Sequence, residues 1–122
     1  MAVRAVVMPA PGMPVEIRSY EEPRLRPGEV RLRTLVSEVC GTDVHLQHGR
    51  LAGVPYPLIP GHVSVGAVTE TGGVVGDVEG RPPEPGDVVT FLDVHGPCGR
   101  CWHCLVGRSP TRCVNRHVYG IS

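Results

Sequence analysis

The chain has 122 residues, with twelve basic and twelve acidic side chains and a formal net charge of zero. That balance argues against a nucleic-acid module, which needs a basic excess to release counterions, and no apolar run approaches membrane-spanning length. Every basic residue is arginine, which excludes a lysine nucleophile and the P-loop motif.

The length fits one domain with a modest core. Sixteen glycines and thirteen prolines punctuate short apolar runs without repeating, so the expected class is mainly β, with many turns between short strands. Residues 3–8 form a first apolar strand, ended by Pro9-Ala10-Pro11-Gly12, and residues 15–19 are its return arm. A turn-rich connector follows through Arg26-Pro27-Gly28. The clearest alternation comes next, with Val30, Leu32 and Thr34 against Arg31, Arg33 and Leu35. That strand delivers Cys40. Residues 42–47 suit one or two helical turns, with Thr42 or Asp43 as N-cap. Pro55, Pro57 and Pro60 rule out regular structure before Gly61-His62. Period-two alternation returns over residues 63–70, and Gly86-Asp87 opens a strand over residues 88–92. This spacing predicts a small, partly open barrel.

Beyond Leu92 lies the most specific stretch, Cys98-Gly99-Arg100-Cys101-Trp102-His103-Cys104, closed by Cys113. Three of these cysteines stand at CxxC spacing, where thiolates can face one point, and a fourth can complete the tetrahedron that zinc accepts. From Val94 onward there is no Asp or Glu, while Arg100, Arg108, Arg112 and Arg116 stand ready to offset the negative charge of a four-thiolate zinc site. Two disulfides are the alternative. The amino terminus does not read as a signal peptide, so the expected location is cytoplasmic, where cysteines stay reduced and clusters bind metal. With four protein thiolates no position is open for substrate, and this zinc is structural.

Cys40 is the cysteine left over. A lone Cys is usually a small buried hydrophobe, and a lone His such as His62 an ordinary turn or core residue. The neighbours add chemistry: Thr42 a hydroxyl, Asp43 a carboxylate, and His45 a titratable ring one turn further on. A Cys–His pair with a nearby hydroxyl and an orienting Asp is a catalytic-zinc arrangement.

These motifs together resemble the N-terminal, GroES-like catalytic domain of the zinc-dependent medium-chain alcohol dehydrogenases, across nearly all residues 1–122. Ala2-Val3-Arg4-Ala5-Val6-Val7 and Arg26-Pro27-Gly28-Glu29-Val30 resemble its first strands. Cys40-Gly41-Thr42-Asp43 and Gly61-His62-Val63-Ser64-Val65-Gly66 resemble its catalytic-zinc motifs, and Pro85-Gly86-Asp87-Val88-Val89 the turn before the cysteine lobe. The resemblance implies a GroES-like, partly open β-barrel with short helices. It implies Cys40 and His62 as ligands of a catalytic zinc, and Cys98, Cys101, Cys104 and Cys113 as ligands of a structural one. By the same resemblance Thr42 takes the proton of a small-molecule alcohol, His45 relays it to solvent, and Asp43 orients a zinc ligand. Hydride would pass to NAD(P) held by a nucleotide-binding domain, giving an oxidoreductase.

Three features depart from the family pattern. Val63 stands where the family usually carries Glu, and the gap from Cys104 to Cys113 is one residue longer than is common. No GxGxxG occurs, and the family's later zinc ligand has no counterpart, so the 122 residues are expected to be inactive alone. An apolar face left uncovered could drive homo-oligomerisation. The alternative is a non-catalytic zinc-binding interaction module on the same barrel, since fold alone does not settle function. Zinc-free quinone reductases share the barrel but lack the Cys40/His62 pair and the cysteine lobe.

Overall fold

A computed structural model describes residues 2–121. The chain is mainly β, and its described residues build three short antiparallel sheets. In the first, β1 (Ala2–Val7) pairs with β2 (Glu16–Glu21) across the turn that Pro9, Pro11 and Gly12 impose. The second carries β3 (Val30–Glu38), β4 (Val63–Thr71) and β5 (Val88–Thr90), in that order. Between β3 and β4 lies helix α1 (Gly41–Gln47), followed by the proline-rich segment. Within that segment only Leu58 makes a β-bridge, to Met8, which joins it to the end of β1.

Two expectations change in detail. Helix α1 starts earlier than the Thr42 or Asp43 cap predicts: Cys40 occupies the N-cap, and Asp43 sits in the first turn with its carboxylate accepting the Cys40 amide at 2.9 Å. The carboxylate thus caps from inside the helix. The alternation read in β3 also does not translate into alternating burial. Register shifts between Arg31 and Leu32 and between Thr34 and Val36 turn successive residues off their faces. In β4, Gly66, Ala67 and Val68 are buried in succession, because this strand is central, with β3 and β5 on either side.

The core is small. Met8, Leu46 and Leu58 form its buried cluster, with Val54, Tyr56 and Ile121 packed around them. The Tyr56 hydroxyl donates to the Leu46 carbonyl at 2.7 Å, which holds the proline-rich segment onto α1. Fully burying a side chain such as Leu46 contributes roughly 1.5–3 kcal/mol, so this cluster fixes the helix on which Thr42, Asp43 and His45 sit.

The cysteine lobe has little apolar support. It comprises β6 (Val94–His95), the short helix α2 (Trp102–Leu105), a 3-10 turn at Pro110–Arg112, and β7 (His117–Val118), which pairs with β6. Among its described residues only Cys113 is fully buried. Among the described residues no helix is long and apolar enough to cross a membrane.

Candidate metal centres

The four lobe cysteines converge, with ligand atoms all within 4.8 Å of one another. All five cysteines of the chain are free thiols, so the two-disulfide alternative is not what this geometry presents. Cys101 and Cys104 sulfurs are 3.5 Å apart, close to the roughly 3.8 Å edge of a tetrahedron with Zn–S bonds of about 2.3 Å.

Local backbone produces this convergence. Cys101 caps α2, whose first turn brings Cys104 back under it, with the Cys104 amide bonded to the Cys101 carbonyl at 3.1 Å. Cys113 closes the 3-10 turn and accepts the amides of Cys98 and Asn115, each at 3.4 Å. Backbone amides are the donors to the Cys113 sulfur. Arg116 reaches the Cys113 carbonyl at 2.9 Å. The Arg100 amide, then Asn115, lowers the Cys98 thiol pKa to about 6, while burial followed by the Cys101 thiol raises Cys104 to about 11. Cys113 is lowered, chiefly by the Cys98 amide. The donor set suits a soft divalent ion with four thiolates.

The second centre forms where one end of the β3–β4 pair meets α1. Register sets Glu38 opposite Val63, so Cys40, two residues beyond, and His62, one residue before, emerge at the same end. Cys40 Sγ and His62 Nε2 lie 3.6 Å apart. Two tetrahedral zinc ligands at about 2.3 Å (S) and 2.0–2.1 Å (N) would be separated by about 3.6 Å. The residues therefore fit the ion.

Asp43 is buried between the two chain segments. Its carboxylate accepts the Cys40 amide at 2.9 Å and the Gly61 amide at 3.1 Å. His62 Nδ1 is 3.8 Å from Asp43 Oδ1, beyond hydrogen-bond range, and this buried nitrogen has no hydrogen-bond partner. From the other side, the Gly61 carbonyl accepts the hydroxyls of Ser37 at 2.6 Å and Ser64 at 3.2 Å. Gly61 adopts φ +84°, a conformation that lets its peptide be gripped on both faces.

Thr42 is half-buried and His45 exposed, three residues apart on α1, so they neighbour one another on the helix surface. Among the described residues no side-chain hydrogen bond or ion pair joins either of them to the Cys40–His62 pair. Sequence reasoning missed Ser37, Ser64 and Asp93. Asp93 Oδ2 stands 3.7 Å from His62 Nε2, although Asp93 lies on the link between β5 and β6. Its one sequence signal is position: it is the last acidic residue of the chain.

Residues 26–121 match the family model described as the alcohol dehydrogenase GroES-like domain. The chain belongs to this family. The GroES-like domain here is 34% identical over 121 residues to an alcohol dehydrogenase of Geobacillus stearothermophilus, covering 98% of this chain and 34% of that one. It is 31% identical to an L-threonine 3-dehydrogenase of Pyrococcus horikoshii, covering 96% of this chain and 32% of that enzyme. Its fold superposes with TM-score 0.89 on an alcohol dehydrogenase of Thermotoga maritima, at 32% identity, over 99% of this chain and 33% of the other. A cobalt- and zinc-bound alcohol dehydrogenase of Pyrobaculum aerophilum matches with TM-score 0.78 at 30% identity, over 99% of this chain and 36% of the other. The chain thus spans about a third of the length of these relatives. The expected GroES-like, mainly β fold is what the GroES-like domain adopts.

Proposed function

We propose that this domain is the metal-bearing part of a zinc-dependent alcohol dehydrogenase that oxidises a small-molecule alcohol and delivers hydride to NAD(P). The single observation that carries the reading is the 3.6 Å approach of Cys40 Sγ to His62 Nε2, the separation two zinc ligands require. In this reading Cys40 and His62 hold a catalytic zinc, and Cys98, Cys101, Cys104 and Cys113 hold a structural one. When bound at Cys40 and His62, zinc supplies the Lewis acidity that eases deprotonation of an alcohol hydroxyl.

The remaining chemistry belongs to the chain. Asp43 keeps the segments bearing Cys40 and His62 at a fixed spacing through its two amide bonds. The half-buried Thr42 hydroxyl takes the alcohol proton, and His45, exposed one turn away, passes it to water. The chain spans about a third of the length of its relatives, and in this reading the nicotinamide is bound by other parts of the working enzyme. The substrate class rests on the relatives' names, alcohol and L-threonine 3-dehydrogenases.

Zinc analysis of the purified chain tests the reading. About two zinc ions per chain are expected, one lost in Cys40→Ser and the other in Cys98→Ser. A single zinc, unaffected by Cys40→Ser, would refute the catalytic centre.

A further inference from the structure

The Cys40–His62 centre has two carboxylates beside it, and they differ in what they are free to do. Asp43 is buried and already accepts two amides, one oxygen on the Cys40 amide and the other on the Gly61 amide, and its carboxylate lies within 4.8 Å of the Cys40 and His62 donor atoms. It also faces His62 from the Nδ1 side. Asp93 approaches from the opposite side, with Oδ2 3.7 Å from Nε2, the nitrogen that also faces Cys40 Sγ. Among the described residues the Asp93 carboxylate has no other hydrogen-bond or ion-pair partner, and its side chain is 32% exposed. Val63, next to His62, is apolar and offers no donor.

This arrangement is poorly explained without a cation. A single imidazole nitrogen carries at most one proton and cannot donate to a thiolate and a carboxylate together. At 3.7 Å the Asp93–His62 approach is also too long for a hydrogen bond. Instead, two further donor types favoured by zinc, the Cys40 thiol and the Asp93 carboxylate oxygen, each approach the same imidazole nitrogen. We propose that Asp93 is a zinc ligand of the Cys40–His62 centre, supplying a third protein donor from within this domain. The proposal rests on the reading of that centre as a zinc site.

The backbone fixes Asp93 for this role. Its carbonyl accepts the Tyr119 amide at 3.0 Å, just beyond β7. Phe91 packs edge-on against the Tyr119 ring at 5.3 Å between centroids, and His95 stacks on the same ring at 4.1 Å. A short tether therefore runs from the lobe strands to Asp93.

The test is competitive zinc binding against a chromophoric chelator, with wild-type, Asp93→Asn, Asp93→Glu and Cys40→Ser chains, each also loaded with cobalt(II). The lobe ion serves as the internal control for folding. Asp93→Asn is expected to keep the lobe ion and to bind the Cys40-dependent ion at least about tenfold more weakly. Its cobalt spectrum should change only in the component that Cys40→Ser removes, and Asp93→Glu should recover part of the affinity. Unchanged affinity and an unchanged cobalt spectrum in Asp93→Asn would overturn the role of Asp93 while leaving the zinc centre standing. Absence of any Cys40-dependent ion in the wild-type chain would overturn both.

Discussion

Asp43 accepts the Gly61 amide at 3.1 Å, tying the residue before His62 to the first turn of the helix that Cys40 caps. The same carboxylate accepts the Cys40 amide at 2.9 Å. One buried side chain therefore sets the spacing between a sulfur and a nitrogen that lie 22 residues apart in sequence. Hydrogen bonds to charged groups contribute about 1.5–3 kcal/mol each, and a buried amide left without its acceptor carries its desolvation cost. Asp43→Ala should destabilise the chain by about 2–4 kcal/mol in urea unfolding and release the Cys40-dependent zinc while keeping the lobe zinc. Asp43→Asn keeps one acceptor and should fall between. A wild-type urea midpoint for Asp43→Ala would show that the two amides are satisfied some other way.

Gly61 concentrates two constraints in one residue. Its φ of +84° costs an L-residue about 1–2 kcal/mol. An added Cβ would also lie 2.5 Å from the Ser37 hydroxyl, which donates to the Gly61 carbonyl at 2.6 Å. Gly61→Ala should therefore pay both strain and the displaced hydroxyl, about 2–3 kcal/mol in total. In a Ser37→Ala background the clash is gone and only the φ term remains. A double-mutant cycle in urea should show coupling of about 0.5–1 kcal/mol between the two sites; purely additive effects would place the Ser37 hydroxyl elsewhere.

How much of this was readable from residue order depended on how local each feature is. The lobe cysteines lie within one short stretch, and their CxxC spacing is itself the geometry, so the cluster was legible in full. The three segments that became β3, β4 and β5 were also legible, since alternation and Gly/Pro punctuation are local signals. Burial along them was not, because bulges in β3 and the central place of β4 arise only when strands pair. The start of α1 was misplaced because Asp43 caps from the first turn rather than preceding the helix. The pairing of Cys40 with His62 was suggested by the chemistry of their neighbours and by family resemblance, but not their geometry, as nothing in their separate neighbourhoods states that the β3–β4 register brings them together. Asp93 lay beyond reach because its contact with His62 crosses from the link between sheets.

The lobe thiols differ in acidity before any metal binds. Arg100 and Asn115 lower Cys98 to about 6, against an ordinary value of 9.0, whereas burial raises Cys104 to about 11. A lowered thiol pKa means that the thiolate persists down to about pH 6 and is lost below it; a raised one keeps Cys104 protonated at neutral pH. In reduced, metal-free chain, iodoacetamide at pH 7.5 should label Cys98 well before Cys104, with mass spectrometry assigning the sites. Labelling of Cys98 should fall away as pH drops through about 6, following the thiolate fraction. Zinc should protect both residues. Equal labelling of the two at pH 7.5 would contradict the difference in their surroundings.

Metal removal should act on the lobe before it acts on the sheets. From Val94 to Ile121 only Cys113 is fully buried, and the helical pieces there, Trp102–Leu105 and Pro110–Arg112, are too short to persist by themselves. What can hold this segment is a tetrathiolate ion, whose binding free energy is then local folding free energy. The β3–β4–β5 sheet and the Met8, Leu46 and Leu58 cluster draw on a separate set of contacts. Hydrogen exchange after treatment with a strong chelator should show amides of residues 98–116 losing protection, including Leu105 and Cys113, which bond to the Cys101 and Pro110 carbonyls. Amides of β4 should retain protection under the same conditions. Because the Tyr119 amide holds the Asp93 carbonyl at 3.0 Å, opening of the lobe should also loosen Asp93. Cys98→Ser should therefore weaken the Cys40-dependent ion as well, whereas Cys40→Ser should leave the lobe's protection unchanged. Full protection of residues 98–116 in chelated chain would mean that packing, and not metal, holds the lobe.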